Sequence, residues 1–277
     1  MSVDPRFILR LDGRAGRSLE GLEPASSYSD ETAMRCRAPA GAVRRKPEPA
    51  SEQVDQLLFG EDFDMLEIIG GWAFGRARRD GYVGFVEVAQ LAPRGAAQTH
   101  RVAAISTYAF AEPNIRATPS GPLSLGSLVA AGEEEGGYVR VEGGGWIPAR
   151  HLAPIGAFET DFVDVAERFL GAPYVWGGRQ SVGLDCSALV QQALAACGRA
   201  LPRDTDLQAK TGRAVGLAEL QRGDLVFWRG HVAIMLDATR IIHANAFHMA
   251  VAVEPLREAV ERIAAAGGGE PTTMRRL

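Results

Sequence analysis

The chain has 277 residues, 46% of them hydrophobic and 23% charged, and a formal net charge of −4 at pH 7. That is the composition of a globular protein with room for about two domains, or three small ones, and it argues against a nucleic-acid-binding surface. No apolar run approaches the roughly 20 residues that a bilayer-spanning helix needs.

The opening stretch MSVDPRFILRLDGRAGRS holds only Phe7, Ile8 and Leu9 as a continuous apolar run. This is too short for a secretory signal, and no small-residue cleavage site follows it. Residues 1–32 are polar, with few apolar positions, and are expected to form a loosely ordered lead-in.

From there to Ile155 the pattern is one of short strands punctuated by glycine, with no helical period. It contains an internal repeat. Gly84-Phe85-Val86 followed after four residues by Leu91-Ala92-Pro93 matches Gly145-Trp146-Ile147 followed after four residues by Leu152-Ala153-Pro154. Each copy closes a run of strand-like segments of about sixty residues, the length of a small barrel. Two small all-β barrels are therefore expected, over 33–94 and 95–155.

A second pattern begins at residue 156. Phe158, Phe162, Val165 and Phe169 share one face of an expected helix and read as core. The stretch GAPYVWGGRQSVGLDCSALV, residues 171–190, opens as a glycine-rich loop. It then places Asp185 and Cys186 directly before SALVQQALAAC, a helical run ending at Gly198. Asp185 is positioned to cap the free N–H groups of the first turn. A cysteine there feels the positive end of the helix dipole, which favours thiolate over thiol.

Three strands follow, GDLVFW, HVAIML and IIHAN. Directly opposed residues of an antiparallel pair share a face, so an odd-length loop near Asp237 would put His231 and His243 on the same side. A nucleophile, a base and a residue that orients the base then converge in Cys186, His231 and His243. The chain closes with an amphipathic helix, PLREAVERIAAA, a glycine break and a final strand, TTMRRL. Together these make an α+β layer with an antiparallel sheet behind the Cys186 helix.

Three cysteines are present. Cys186 and Cys197 lie eleven residues apart on one helix, about 16 Å of rise, which is too far for a disulfide. Cys36 is left without a natural partner, and a reduced, cytoplasmic protein fits best. His248 has no motif role, and His100 and His151 fall in the barrels. None of the usual zinc-ligand spacings occurs, so no metal site is expected.

The motifs YVWGG, GLDCSALVQ, RGDLVFW, GHVAIML and IIHAN, in this order, resemble the NlpC-type papain-like cysteine peptidases of bacterial cell-wall metabolism. The resemblance covers residues from about Phe158 to Leu277. One departure is Ala188, where the family has a Gly after Cys-Ser. Tandem small barrels ahead of such a domain resemble bacterial SH3-like barrels.

The resemblance implies acyl transfer through a thioester. Cys186 would attack, with His231 as base and then acid, and His243 would fix the tautomer of His231. Tyr174 would support the oxyanion, and Asp185, Ser187 and Asp204 would line the substrate site, with Arg203 as the structural partner of Asp204. In members that recycle wall peptides, an acidic residue and a Tyr of the first barrel hold the substrate's free amine, and Glu61 and Tyr82 match these. A buried ammonium needs a carboxylate partner, so the pair makes physical sense.

The expected substrate is a peptidoglycan stem peptide, L-Ala-γ-D-Glu-diamino acid, cut at the γ-D-glutamyl bond in the cytoplasm. No metal or cofactor, nucleic acid or membrane is involved. The alternatives are a muramoyl-alanine amidase or a lipid acyltransferase on the same scaffold, or a wall-fragment binding protein with a dead site.

Overall fold

The computed structural model describes residues 4–277. The chain divides between Ile155 and Gly156 into two compact units.

In the N-terminal unit the lead-in departs from expectation. Arg10–Leu11, Arg14–Gly16 and Ser27–Ser29 form a small sheet, the last two strands paired in parallel. Leu9 is the cause. It is fully buried and packs with Leu66, Trp72, Phe74 and Phe85 on the first barrel. The apolar triplet at residues 7–9 thus anchors a segment whose composition alone suggests looseness.

The first barrel is a seven-stranded antiparallel sheet from Thr32–Cys36 to Leu91–Pro93. It is wrapped around Val43, Leu57, Phe63, Ala73 and Val86. The second barrel, from His100–Val102 to Leu152–Pro154, consists of a three-stranded and a five-stranded sheet around Val102, Ala109, Leu123, Val141 and Ile147.

The sequence repeat now has a structural meaning. Each copy is a strand, one turn of 3-10 helix and a short closing strand. Leu91 pairs with Cys36 in the first barrel and Leu152 with Val102 in the second, so each copy returns the chain to its own opening strand. The barrels join at Phe59-Gly60. Phe59 sits in the second barrel's core, and its carbonyl accepts from Leu128 N–H at 2.8 Å. Gly60 has φ +81°, and a Cβ there would lie 1.9 Å from the Leu128 carbonyl oxygen, so only glycine fits.

The C-terminal unit contains α1 (Phe162–Glu167), α2 (Cys186–Ala196), α3 (Thr205–Gln208) and α4 (Leu256–Ala265). Its sheet is built from β1 (Arg213–Ala214), β2 (Leu225–Trp228), β3 (His231–Met235), β4 (Arg240–Asn245), β5 (Ala250–Pro255) and β6 (Thr273–Arg276), in the order β1-β6-β2-β3-β4-β5.

Helix α1 is shorter than expected. Asp161 accepts from Val163 N–H at 2.7 Å and starts the helix there. This leaves Phe158 outside it and 54% exposed, while Phe169 is buried. Strand β5 is an element that the sequence pattern leaves unmarked. The β3–β4 turn fits the expected parity. Ile234 pairs with Ile242 and Met235 with Ile241, and the Leu236 N–H to Arg240 carbonyl bond closes a turn of three residues, 237–239. Among the described residues, no helix is long and apolar enough to cross a membrane.

Candidate active site

Cys186 is the first residue of α2, and the helix start is built around Asp185. One Asp185 oxygen accepts from Ala188 N–H at 2.9 Å, as the N-cap reading requires. The other accepts from the Gly177 N–H at 2.9 Å, tying down the glycine-rich loop. Arg203, fully buried, reaches both oxygens, at 3.0 and 2.6 Å, and donates to Ser187 Oγ at 2.8 Å. Ser187 Oγ in turn donates to Asp185 at 3.1 Å.

This adds to the sequence reading. Arg203 is a partner of Asp185, and Asp185 and Ser187 also hold the helix start. Asp204 is half-buried at the N-cap of α3 but makes no side-chain cap bond. Gln208 of α3 ties this segment back by donating to the Ser187 carbonyl at 3.1 Å.

The histidines form a diagonal row across the sheet. His231 Nε2 lies 2.8 Å from His243 Nδ1, and the ring centroids are 5.1 Å apart. The row continues into β5. Ile241 pairs with Glu254 and His243 with Ala252, so Glu254 lies one diagonal step from His243 on the same face. The Glu254 carboxylate meets His243 Nε2 at 2.7 Å. Arg262 of α4 donates to that same oxygen and stacks over the Phe247 ring, 4.3 Å from its centroid. Sequence reasoning missed Glu254. The available signal was a lone acid at the end of the otherwise apolar stretch AVAVEP.

Electrostatics run against the thiolate expectation. Burial, followed by the Asp185 charge, pushes the Cys186 thiol up to about 12. The Val232 and Ser187 N–H groups and Arg203 oppose this but are outweighed. Burial, reinforced by His243 and Arg262, lowers His231 to about 3 against the pull of Glu254. Both shifts favour a neutral thiol and a neutral imidazole at rest over the ion pair. A helix N-terminus contributes only about half a charge, and here it competes with desolvation and a full carboxylate.

The Val232 N–H, one residue after His231 in β3, is among the groups that pull the thiol down. Tyr174, half-buried, has its phenol pushed above the ordinary value by burial and by the nearby Cys186 and Asp185. It remains a neutral hydrogen-bond donor next to the nucleophile.

In the first barrel, Glu61 and Tyr82 are both buried. Glu61 accepts from the Leu58 N–H at 2.9 Å and pairs with Arg79 at 3.3 Å. Tyr82 packs edge-on against Phe7. His151 bonds Thr107 at 2.7 Å and His100 bonds Thr99 at 2.9 Å, both within the second barrel. Among the described residues one group has ligand-like proximity: His243, His248 and Glu254, whose donor atoms lie within 4.8 Å of one another. A cation there would have to break the His243–Glu254 bond and displace Arg262.

A cysteine opening a buried helix, against an antiparallel sheet that carries a histidine row, defines a papain-like cysteine peptidase. Residues 171–263 match the NlpC/P60 family, and residues 43–91 match the bacterial dipeptidyl-peptidase Sh3 domain. The chain therefore carries an NlpC/P60 cysteine peptidase domain preceded by an SH3-like domain.

It is 27% identical over 226 residues to a gamma-D-glutamyl-L-lysine dipeptidyl-peptidase of Bacillus subtilis, covering 74% of this chain and 76% of that one. It is 28% identical over 228 residues to dipeptidyl-peptidase 6 of Lysinibacillus sphaericus, covering 72% and 83%. The crystal structure of an NlpC/P60 family protein from Bacillus cereus shares the fold. Its TM-score is 0.74 at 19% identity, covering 88% of this chain and 99% of that one.

Proposed function

We propose that this peptidase hydrolyses the γ-D-glutamyl–diamino acid bond of peptidoglycan stem peptides that begin with a free L-Ala, in the recycling of wall peptides. One observation carries the reading. The similarity to a relative named gamma-D-glutamyl-L-lysine dipeptidyl-peptidase, and to one named dipeptidyl-peptidase 6, spans about three quarters of the chain and so reaches beyond the catalytic domain.

The chemistry follows from neutral partners. Cys186 Sγ attacks the γ-carbonyl of D-Glu as its proton passes to Nδ1 of His231. His231 Nε2–H is held by His243. The oxyanion is met by the backbone N–H of Cys186 at the helix start and by the Tyr174 hydroxyl. His231 then returns the proton to the departing diamino acid nitrogen, leaving a thioester, which water hydrolyses with His231 again as base. Asp204, Asp185 and Ser187 line the substrate site, the last two also holding the helix start.

Recognition of the L-Ala ammonium is assigned to Glu61 and Tyr82. A buried carboxylate already held by Leu58 N–H is a pre-positioned partner for an ammonium, which would share it with Arg79. We place this activity in the cytoplasm, a reducing setting that suits three cysteines joined by no disulfide to one another.

The test is a mass-spectrometric digest of L-Ala-γ-D-Glu-diaminopimelate, free and N-acetylated. Release of L-Ala-γ-D-Glu from the free peptide is expected. Acetylation should lower turnover by a factor of about a hundred or more, the equivalent of losing a buried ion pair of roughly 3 kcal/mol. Equal turnover of the two peptides would remove the amine site. Cleavage of intact muropeptide alone would turn the assignment toward an amidase.

A further inference from the structure

Within the histidine row, we infer that Glu254, held by Arg262, is a further positioning residue that sets the tautomer of both histidines. The inference rests on the cysteine peptidase reading and extends it by two residues.

The proton bookkeeping is forced by the contacts. His243 Nε2 faces the Glu254 carboxylate at 2.7 Å, and Glu254 is lowered below its ordinary value, the pulls of His243 and Arg262 outweighing burial. An ionised carboxylate can only accept, so His243 carries its proton on Nε2. Because burial holds His243 neutral, its Nδ1 then has a lone pair and can only accept. The bond of 2.8 Å to His231 must therefore be donated by His231 Nε2–H. His231, also neutral, is left with a bare Nδ1, the atom that can take the thiol proton. Reversing the His243 tautomer would protonate Nδ1 of His231 and remove the base.

Arg262 has a separate duty. It donates to the same oxygen, Oε1, that receives His243, so the carboxylate presents one oxygen to both partners. Its guanidinium also balances the charge that Glu254 brings close to the row. Stacking on Phe247 fixes the guanidinium plane.

The double requirement separates an ordering role from mere packing. In Glu254→Gln, Arg262 as an obligate donor should keep the amide oxygen turned to His243. Activity should stay within about tenfold of the parent. In Glu254→Gln combined with Arg262→Met, the amide is free to flip and offer its NH2 group to His243. Here kcat should fall about a hundredfold below the parent while KM changes less than about threefold. Arg262→Met alone should resemble Glu254→Gln.

Nitrogen-15 NMR of the imidazoles in the full-length protein reads the cause directly. His243 should be protonated on Nε2 in the parent and in Glu254→Gln, and substantially on Nδ1 in the double variant. This readout needs no substrate, so it stands or falls independently of which peptide is cleaved. Two results would overturn the inference. One is a parent His243 protonated on Nδ1; the other is a double variant whose tautomer and kcat match those of Glu254→Gln.

Discussion

Arg203 grips the carboxylate of Asp185 with both terminal nitrogens, at 3.0 and 2.6 Å, in a region where both residues are almost fully buried. Eighteen residues apart in the chain, they fix the start of the helix that Cys186 opens. A buried pair of this kind is sensitive to loss of one partner, because the remaining charge is stranded without water.

Arg203→Met should therefore destabilise the C-terminal unit by about 3–5 kcal/mol. Adding Asp185→Asn, whose amide can still cap α2, should recover part of that loss. Chemical denaturation followed by a signal from the C-terminal unit checks both. Equal stability of the parent and Arg203→Met would mean that the ion pair does not hold the helix start.

The thiol should be unreactive at rest. With Cys186 pushed up to about 12, iodoacetamide labelling of the ligand-free protein should climb only in the alkaline range, well above the ordinary thiol value of about 8.5. Asp185→Asn, which removes the second-largest cause, should move the profile toward lower pH. Site-by-site mass spectrometry separates Cys186 from Cys36 and Cys197. Half-labelling of Cys186 below about pH 8 would restore the thiolate reading.

His243→Ala should lower kcat by about a hundredfold or more with little change in KM, since His243 orients His231 without reaching substrate. His243→Asn should keep more activity, because an amide oxygen can still accept His231 Nε2–H at the position of Nδ1. Steady-state kinetics on the stem peptide decide it. Parent-like rates in both variants would make His243 a core residue only.

Stability should fall with acid because of the base itself. His231 is lowered from the ordinary value of about 6.5 to about 3. Between those limits the unfolded chain binds a proton that the native chain refuses, so stability drops as pH falls from about 6.5 toward 3. His231→Gln should lose less stability than the parent between pH 7 and pH 4.5, as read from urea midpoints. Identical losses would show that other groups dominate the acid limb.

Gly60→Ala should disrupt the seam between the barrels. The added methyl would sit 1.9 Å from the Leu128 carbonyl oxygen, at a φ that L-residues avoid, for a cost of about 2 kcal/mol or more. Thermal unfolding and limited proteolysis of the N-terminal unit should both register the change. An unaltered melting profile would mean that the seam absorbs the methyl.

Much of this molecule could be read in the chain because the relevant signals are local. The repeat at residues 84–93 and 145–154 marks the two barrel closures, since a strand, a tight turn and a returning strand occupy a fixed short length. Cys186 at a capped helix start follows from Asp185 and the helical run behind it. The shared face of His231 and His243 follows from period-two alternation and an odd turn. Each depends on neighbours within about a dozen residues.

What the sequence could not decide depends on partners brought together from a distance, and on burial. That Arg203 grips Asp185, eighteen residues away, is decided only by folding. Glu254 is one more acid near a helix until β5 pairs with β4 and sets it against His243. Leu9 appears to belong to a disordered lead-in until the first barrel offers it an apolar seat. The ionisation of Cys186 depends on burial most of all. A helix dipole can be inferred from sequence, but the desolvation that outweighs it exists only once the surrounding chain has excluded water.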